Sequence, residues 1–193
     1  MIDIDEDVVN ACREFMPSVS GGAFEDPRLE LIIGDGIKYA KDCAEGKYDK
    51  FDVIIVDSTD PFEENPGNEL FTAEFYKDCE QSLRPNGVLS SQSMMPIRDP
   101  SVIYLRGINN LQKGFGLDRT YLYQLSMDSF RGTVTFGCAF KGDSHPEKLD
   151  KKRCNDFAKA KGLKYYSHGI HMASFCLPPY LMKMIGVGQC QSD

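Results

Sequence analysis

The sequence predicts an α/β protein built on a mostly parallel sheet that ends in an antiparallel strand pair. Three observations carry this. Phe51 to Val56 (FDVIIV) is an apolar run rich in β-branched residues, which reads as a strand buried on both faces. Strand and helix patterns alternate from the N-terminus to about Lys113, the rhythm of parallel strands with helical crossovers. Asp118 to Leu125 and Thr133 to Phe140 then alternate apolar and polar residues, as two strands of an antiparallel pair do.

The elements follow in order. MIDID reads as the tail of a strand. A helix from about Asp7 to Met16 comes next, with Val8, Val9, Cys12 and Phe15 on one face and Pro17 ending it. Asp5 is placed to cap that helix. Arg28 to Ile33 reads as a strand, Gly34-Asp35-Gly36 as a tight turn, and Ile37 to about Ala44 as a helix. After the strand at 51–56, the loop FEENPGNE is too polar for core. A helix reaching about Leu83 turns Phe71, Phe75 and Cys79 inward. Arg84-Pro85-Asn86-Gly87 is a turn, Val88 to Ser93 a strand, and Pro100 to Lys113 a helix broken by Gly114 and Gly116. His145 to Ala160 is charged and helical. A last helix follows Pro178.

Composition bounds the function. At 193 residues one domain is the default, with chain enough for a real core. The formal net charge of −7 disfavours nucleic acid and anionic membrane and suits a cationic ligand. The seven cysteines are scattered without a Cys-x-x-Cys, as in a reduced cytoplasmic setting. No apolar run approaches the roughly 20 residues that span a bilayer, and the acidic N-terminus does not read as a signal peptide. His168 and His171 are three residues apart, but no Cys or carboxylate stands at ligand spacing, so a packed or hydrogen-bonded pair is expected and no metal.

The chemistry concentrates after Val56. Asp57 ends the strand, and Ser58 and Thr59 lead to a second carboxylate, Asp60, before Pro61. Ligands of open α/β sheets bind beyond the carboxyl ends of the strands. A single acid there is commonly a turn former or cap, whereas the Asp-x-x-Asp-Pro pair points to a site.

This stretch resembles the strand-end signature of the polyamine aminopropyltransferases, the spermidine synthase family. Other stretches carry the same resemblance: Ile2 to Asp5 with Val8-Val9; Gly34-Asp35-Gly36; Leu70-Phe71-Thr72 with Glu74-Phe75-Tyr76; and Tyr165-Tyr166 with Ile170-His171 through Leu177-Pro178. The fold it implies is the Rossmann-like sheet of class I methyltransferases. The activity it implies is aminopropyl transfer from decarboxylated S-adenosylmethionine, a co-substrate, to putrescine, giving spermidine and methylthioadenosine without a prosthetic group.

The resemblance also assigns residues. Asp57 is the general base. Ser58, Thr59, Asp60 and Gln92 line the diamine site. Asp128 stands beside Ser129, which replaces the family's amine-contacting Tyr; it is either a cation ligand or an ordinary turn aspartate. Asp3 takes the ribose hydroxyls, since a carboxylate accepts two bonds from a vicinal diol, and Ile4 lies against adenine. Asp35 and Gly36 bind adenine, and Pro66 belongs to a flap that closes over both substrates.

Three departures qualify this. Met94 stands where the family commonly has Glu, and Ser129-Phe130 resembles the thermospermine synthase branch, so spermine or thermospermine synthesis is an alternative. The family's glycine-rich cofactor loop, first strand and N-terminal hairpin domain have no counterpart in the sequence. Residues 1–193 are therefore expected to be one partial catalytic domain, truncated at the N-terminus and weakly active alone, or else an inactive paralogue that serves in binding or dimerisation. A homodimer or homotetramer is expected of the full-length protein.

Overall fold

The computed structural model describes residues 1–59, 66–93, 102–130 and 132–186. Its strands form two hydrogen-bonded sets. β1 (Ile2–Asp3) and β2 (Ile32–Ile33) are a short parallel pair, Ile2 opposite Ile32 and Asp3 opposite Ile33. β3 (Phe51–Val56), β4 (Leu83–Ser93), β5 (Thr120–Met127) and β6 (Gly132–Phe140) form a sheet in the order β3-β4-β6-β5. β3 runs parallel to β4, and β6 runs antiparallel to both β4 and β5. The expected parallel strands and antiparallel closing pair are present.

Local chemistry explains the helices. α1 (Glu6–Phe15) starts where the Asp5 carboxylate accepts from the Val8 amide at 3.0 Å, the capping role its position suggested. Pro17 opens a second short helix, α2 (Pro17–Ser20), because a first-turn residue needs no amide hydrogen. α3 (Gly36–Ala44) is capped by Asp35 and α4 (Ala73–Ser82) by Thr72, whose hydroxyl accepts from the Phe75 amide at 3.3 Å. The Ser82 hydroxyl donates to the Ala40 carbonyl at 3.0 Å, tying α4 to α3. α5 (Val102–Phe115) is tied by Asn110, which donates to the Phe71 carbonyl at 2.9 Å. α6 (Lys151–Ala160), α7 (His168–Phe175) and α8 (Pro179–Ile185) complete the chain.

The core lies on one face of the four-stranded sheet. Val56, Leu89, Ala139 and Leu122 meet Phe75, Tyr76 and Cys79 of α4, Ile108, Leu111 and Phe115 of α5, and Leu181 and Ile185 of α8. Phe71, Phe75 and Cys79 point inward, as their spacing indicates. The buried Tyr76 phenol reaches Ser91 Oγ at 3.1 Å, and burial pushes its pKa upward.

Several expectations are corrected. β3 is not buried on both faces: Val53 is 53% and Ile55 73% exposed, because among the described residues helices pack on its Ile54 and Val56 face and leave the Val53 and Ile55 face open. On α1 only Val9 is fully buried, while Val8 and Phe15 are exposed; the four-residue α2 is its main neighbour and covers little of that face. The strand expected from Arg28 shrinks to Ile32–Ile33, since Arg28 is held by Asp26 through its amide (2.9 Å) and its guanidinium (2.6 Å). The turn Arg84 to Gly87 lies inside β4 as a bulge that shifts its register against β3 between Phe51 and Val53, with Asn86 at φ 64°. The helix expected from His145 begins at Lys151, because Asp150 caps it at the Arg153 amide (2.6 Å) and the Pro146 carbonyl is taken by His171 (2.8 Å).

Candidate active site

The register of the four-stranded sheet gathers one set of residues at its carboxyl end. Val56 pairs with Ser91, so the next residues on the two strands are Asp57 and Gln92. Asp57 is exposed, directly beyond the buried Val56. The Gln92 side-chain amide donates to the Ser58 carbonyl, crossing from β4 to the turn after β3. The Ser58 hydroxyl donates to the Thr59 carbonyl at 3.3 Å. β6 starts at this same end because it runs antiparallel to β4, and the 3-10 turn Asp128–Phe130 joins β5 to it. Asp128 and Ser129 are thus at the same sheet end as Asp57 and Gln92, both exposed. Asp60 and Met94 lie outside the described residues, as does the Pro66 side chain; the Pro66 backbone opens a 3-10 helix, Pro66–Phe71.

The β1–β2 pair brings together the second set. The Gly34 amide donates to the Asp3 carbonyl at 2.8 Å, extending the ladder into the turn that carries Asp35. Asp3 Oδ1 accepts from the Asp5 amide at 3.0 Å. Asp35 Oδ1 accepts from the Ile37 and Lys38 amides at 2.8 and 3.3 Å, a helix cap in full. In both aspartates Oδ2 has no hydrogen bond among the described residues, so each retains an acceptor for a ligand. Ile4 is exposed, and a Cβ placed on Gly36 would meet nothing within 4 Å. That end of α3 is open to an incoming group.

One face of the larger sheet carries an aromatic row that the sequence did not single out. Phe136 pairs with Gln92 on one side and Tyr123 on the other, so all three share a face. The Tyr123 and Phe136 rings stack with centroids 5.1 Å apart. The Tyr123 phenol and Ser90 Oγ are 2.9 Å apart; burial raises the phenol pKa and this bond opposes it. Phe175 of α7 covers Tyr123 at 5.5 Å. The alternating pattern of 118–125 and 133–140 was the available signal, but only register places those rings beside Gln92.

His171 is a hydrogen-bonded histidine. Its Nε2 donates to the Pro146 carbonyl at 2.8 Å, which leaves Nδ1 to accept from the Tyr166 phenol at 3.1 Å. The Cys154 thiol donates to the same phenol oxygen at 3.6 Å. The His168 amide donates to Asn155 Oδ1 at 3.1 Å, and Ser167 caps α7 by accepting from the Ile170 amide at 3.2 Å. No group of three or more His, Cys, Asp or Glu side chains able to hold a metal occurs among the described residues.

Residues 1–134 match the family model of the spermine/spermidine synthase domain. The chain belongs to the spermine/spermidine synthase family. Among curated relatives it is 35% identical over 189 residues to a polyamine aminopropyltransferase of Nitrosomonas europaea, covering 96% of this chain and 55% of that protein. It is 35% identical to polyamine aminopropyltransferase 1 of Pseudomonas aeruginosa, covering 96% of this chain and 63% of the relative. The spermidine synthase of Thermotoga maritima superposes with a TM-score of 0.81 at 33% identity, over 96% of this chain and 59% of that one. A spermidine synthase in complex with the transition state analogue AdoDATO gives 0.83 at 34% identity, over 96% and 60%. The chain thus spans less than two thirds of the length of these relatives. An O-methyltransferase of Klebsiella pneumoniae, at 15% identity and a TM-score of 0.51, shares the fold, which is the Rossmann-like methyltransferase type. No helix among the described residues is long and apolar enough to cross a membrane.

Proposed function

We propose that the chain is a partial catalytic domain of a cytoplasmic polyamine aminopropyltransferase, acting on decarboxylated S-adenosylmethionine and putrescine to give spermidine and methylthioadenosine. The observation that carries this is the placement of Asp57, Ser58, Gln92 and Asp128 at one sheet end, in a family whose solved members superpose over 96% of the chain. An amine is protonated at neutral pH and has no lone pair to attack with. The Asp57 carboxylate accepts that proton. The freed nitrogen attacks the methylene carbon bonded to the sulfonium, that C–S bond breaks, and its electrons neutralise the sulfur. Asp60, Thr59 and Asp128 hold the cationic diamine.

The nucleoside falls to the second set. Asp3 Oδ2 takes the ribose hydroxyls, Asp35 Oδ2 takes the adenine amino group, Ile4 packs on the base, and Gly36 and Pro66 close around it. The full-length protein works as a homodimer or homotetramer.

The test is turnover of putrescine by the full-length protein. Asp57→Asn lowers kcat by about 10²- to 10⁴-fold, the range for losing a general base, while methylthioadenosine binding is retained. Turnover that survives this substitution removes Asp57 as the base. Competition between putrescine and spermidine as acceptors separates spermidine synthesis from the longer products.

A further inference from the structure

We infer that His171 is a positioning residue: it closes a ring of contacts that seats α7 on β5, sets Phe175 against Tyr123, and so steadies the aromatic row beside Gln92. The catalytic consequence rests on the aminopropyl-transfer reading; the ring of contacts does not.

α7 has little to hold it by itself. It is eight residues long, shorter than a helix that is stable alone in water, and within it only Ser174 is fully buried. Its place is set by side-chain contacts, and these form a closed circuit that begins and ends on β5. Tyr121 and Tyr123 are two residues apart on that strand and share a face of the sheet. The Tyr121 ring meets the His145 ring edge-on, with centroids 4.7 Å apart. The next residue, Pro146, is buried, and its carbonyl accepts from His171 Nε2 at 2.8 Å. The His171 ring lies 5.2 Å from the ring of Phe175, one helical turn on. Phe175 in turn lies 5.5 Å from Tyr123. The Gln124 side chain donates to the Cys176 carbonyl at 3.0 Å and fastens the far end of the helix to the same strand.

His171 joins the two arms of this circuit, bridging 25 residues of sequence. The junction needs a donor for the Pro146 carbonyl and an acceptor for the Tyr166 phenol at 3.1 Å. A neutral imidazole has one of each. The row that Phe175 covers leads to the site: Tyr123 stacks on Phe136 at 5.1 Å, and Phe136 pairs with Gln92. A displaced Phe175 therefore frees the Tyr123 ring, and the Gln92 end of the sheet loses a fixed neighbour. The nucleoside set stands on the β1–β2 pair and shares none of these contacts.

Two measurements decide it. Hydrogen exchange on the 193-residue chain reads the circuit without any substrate. In His171→Ala, exchange rises about fivefold at 146–148 and at 171–176 together, as loss of one net hydrogen bond allows, while α4 and α5 keep their protection. Alanine is the better helix former, so faster exchange in α7 does not come from helix propensity. His171→Gln carries an amide donor at the length of Nε2 and restores both segments. Exchange that is unchanged, or faster at 171–176 alone, overturns the inference. Steady-state kinetics of the full-length protein then read the consequence. His171→Ala raises the putrescine KM about tenfold with the KM of the nucleoside co-substrate unmoved, and His171→Gln restores it. Phe175→Leu cuts the circuit at its other end, keeps an apolar side chain, and gives the same split. Equal rises in both KM values, or an unchanged putrescine KM in Phe175→Leu, make the contacts structural only and overturn the inference. If the unsubstituted protein turns over no putrescine, the aminopropyl-transfer reading fails, and the exchange result alone decides whether the circuit exists.

Discussion

Gly114 of α5 presses against the backbone of Tyr76 on α4. A Cβ on Gly114 would stand 2.7 Å from Tyr76 Cβ and 2.9 Å from its carbonyl carbon. The sequence reads this glycine as a helix breaker, yet α5 runs through it to Phe115. Its role is close approach of two helices, which lets the Tyr76 phenol reach Ser91, the residue before Gln92. Alanine is the better helix former by about 1 kcal/mol, but here it meets backbone that cannot move aside. Gly114→Ala is expected to destabilise by about 1–3 kcal/mol. Gly107, on the same helix, has only Phe71 Cδ1 at 3.8 Å. Gly107→Ala is expected to stabilise by about 0.5–1 kcal/mol. Denaturant unfolding of the two variants checks the pair, and equal signs would show that the helices do not touch at Gly114.

Asp35 carries two expected duties that substitution can separate. Its Oδ1 caps α3 at the Ile37 and Lys38 amides, and its Oδ2 is left for a ligand. Asparagine caps about as well as aspartate. Asp35→Asn should therefore leave the melting temperature nearly unchanged, while methylthioadenosine binds about tenfold more weakly through loss of a charge-assisted bond. Asp35→Ala loses both, at about 1 kcal/mol of stability for the cap. Calorimetry with methylthioadenosine, alongside thermal melts, measures the two effects independently. Equal binding by Asp35→Asn and the unsubstituted chain removes the adenine contact.

What the sequence made legible was local. Asp5 reads as a cap from its place before the first helical turn, and it caps. Phe71, Phe75 and Cys79 read as one inward face, and they are buried. The illegible features depend on neighbours distant in the chain. The pattern FDVIIV names a strand but not what packs on each face, and with helices among the described residues on the Ile54 and Val56 face, Val53 and Ile55 meet solvent. Residues 145–150 have helical composition, yet the His171 imidazole claims the Pro146 carbonyl. The place of Asp57 at the sheet end was legible because a carboxylate ends an apolar run. The Gln92–Phe136–Tyr123 row was not, because a one-residue change of register would send each side chain to the opposite face.

The exposed face of β3 predicts behaviour in solution. Ile55, 73% exposed, and Val53 stand on an edge strand, a template for pairing with other chains. The 193-residue chain is expected to self-associate as its concentration rises. Ile55→Lys should suppress this, since a charge on an edge strand opposes stacking, and should change the unfolding free energy by less than about 0.5 kcal/mol, as exposed substitutions do. Light scattering across a concentration series checks it. Association that persists undiminished in Ile55→Lys locates the sticky surface elsewhere.

Asp42 gives stability a defined acid limb. Its carboxylate accepts from Lys38 Nζ and Lys47 Nζ, each at 2.6 Å, and these two bonds hold its pKa below the ordinary 3.8. The same contacts raise the pKa of both lysines, Lys47 gaining further from Glu45 at 2.9 Å. Because the folded carboxyl is the stronger acid, the unfolded chain binds more protons as pH falls through the unfolded value. The contribution of Asp42 is therefore fully present above about pH 4 and is lost as pH drops through its folded value. For the lysines the sign reverses: their contribution is full below 10.5 and disappears as pH rises through their raised folded values. Asp42→Asn is expected to lower the melting temperature near neutral pH, with the gap to the unsubstituted chain closing once the carboxyl is protonated. It should also flatten the alkaline limb set by Lys47. Thermal melts of both chains from acid to alkaline pH measure this, and a gap that stays constant down to the acid end shows that the Asp42 charge contributes nothing to the fold.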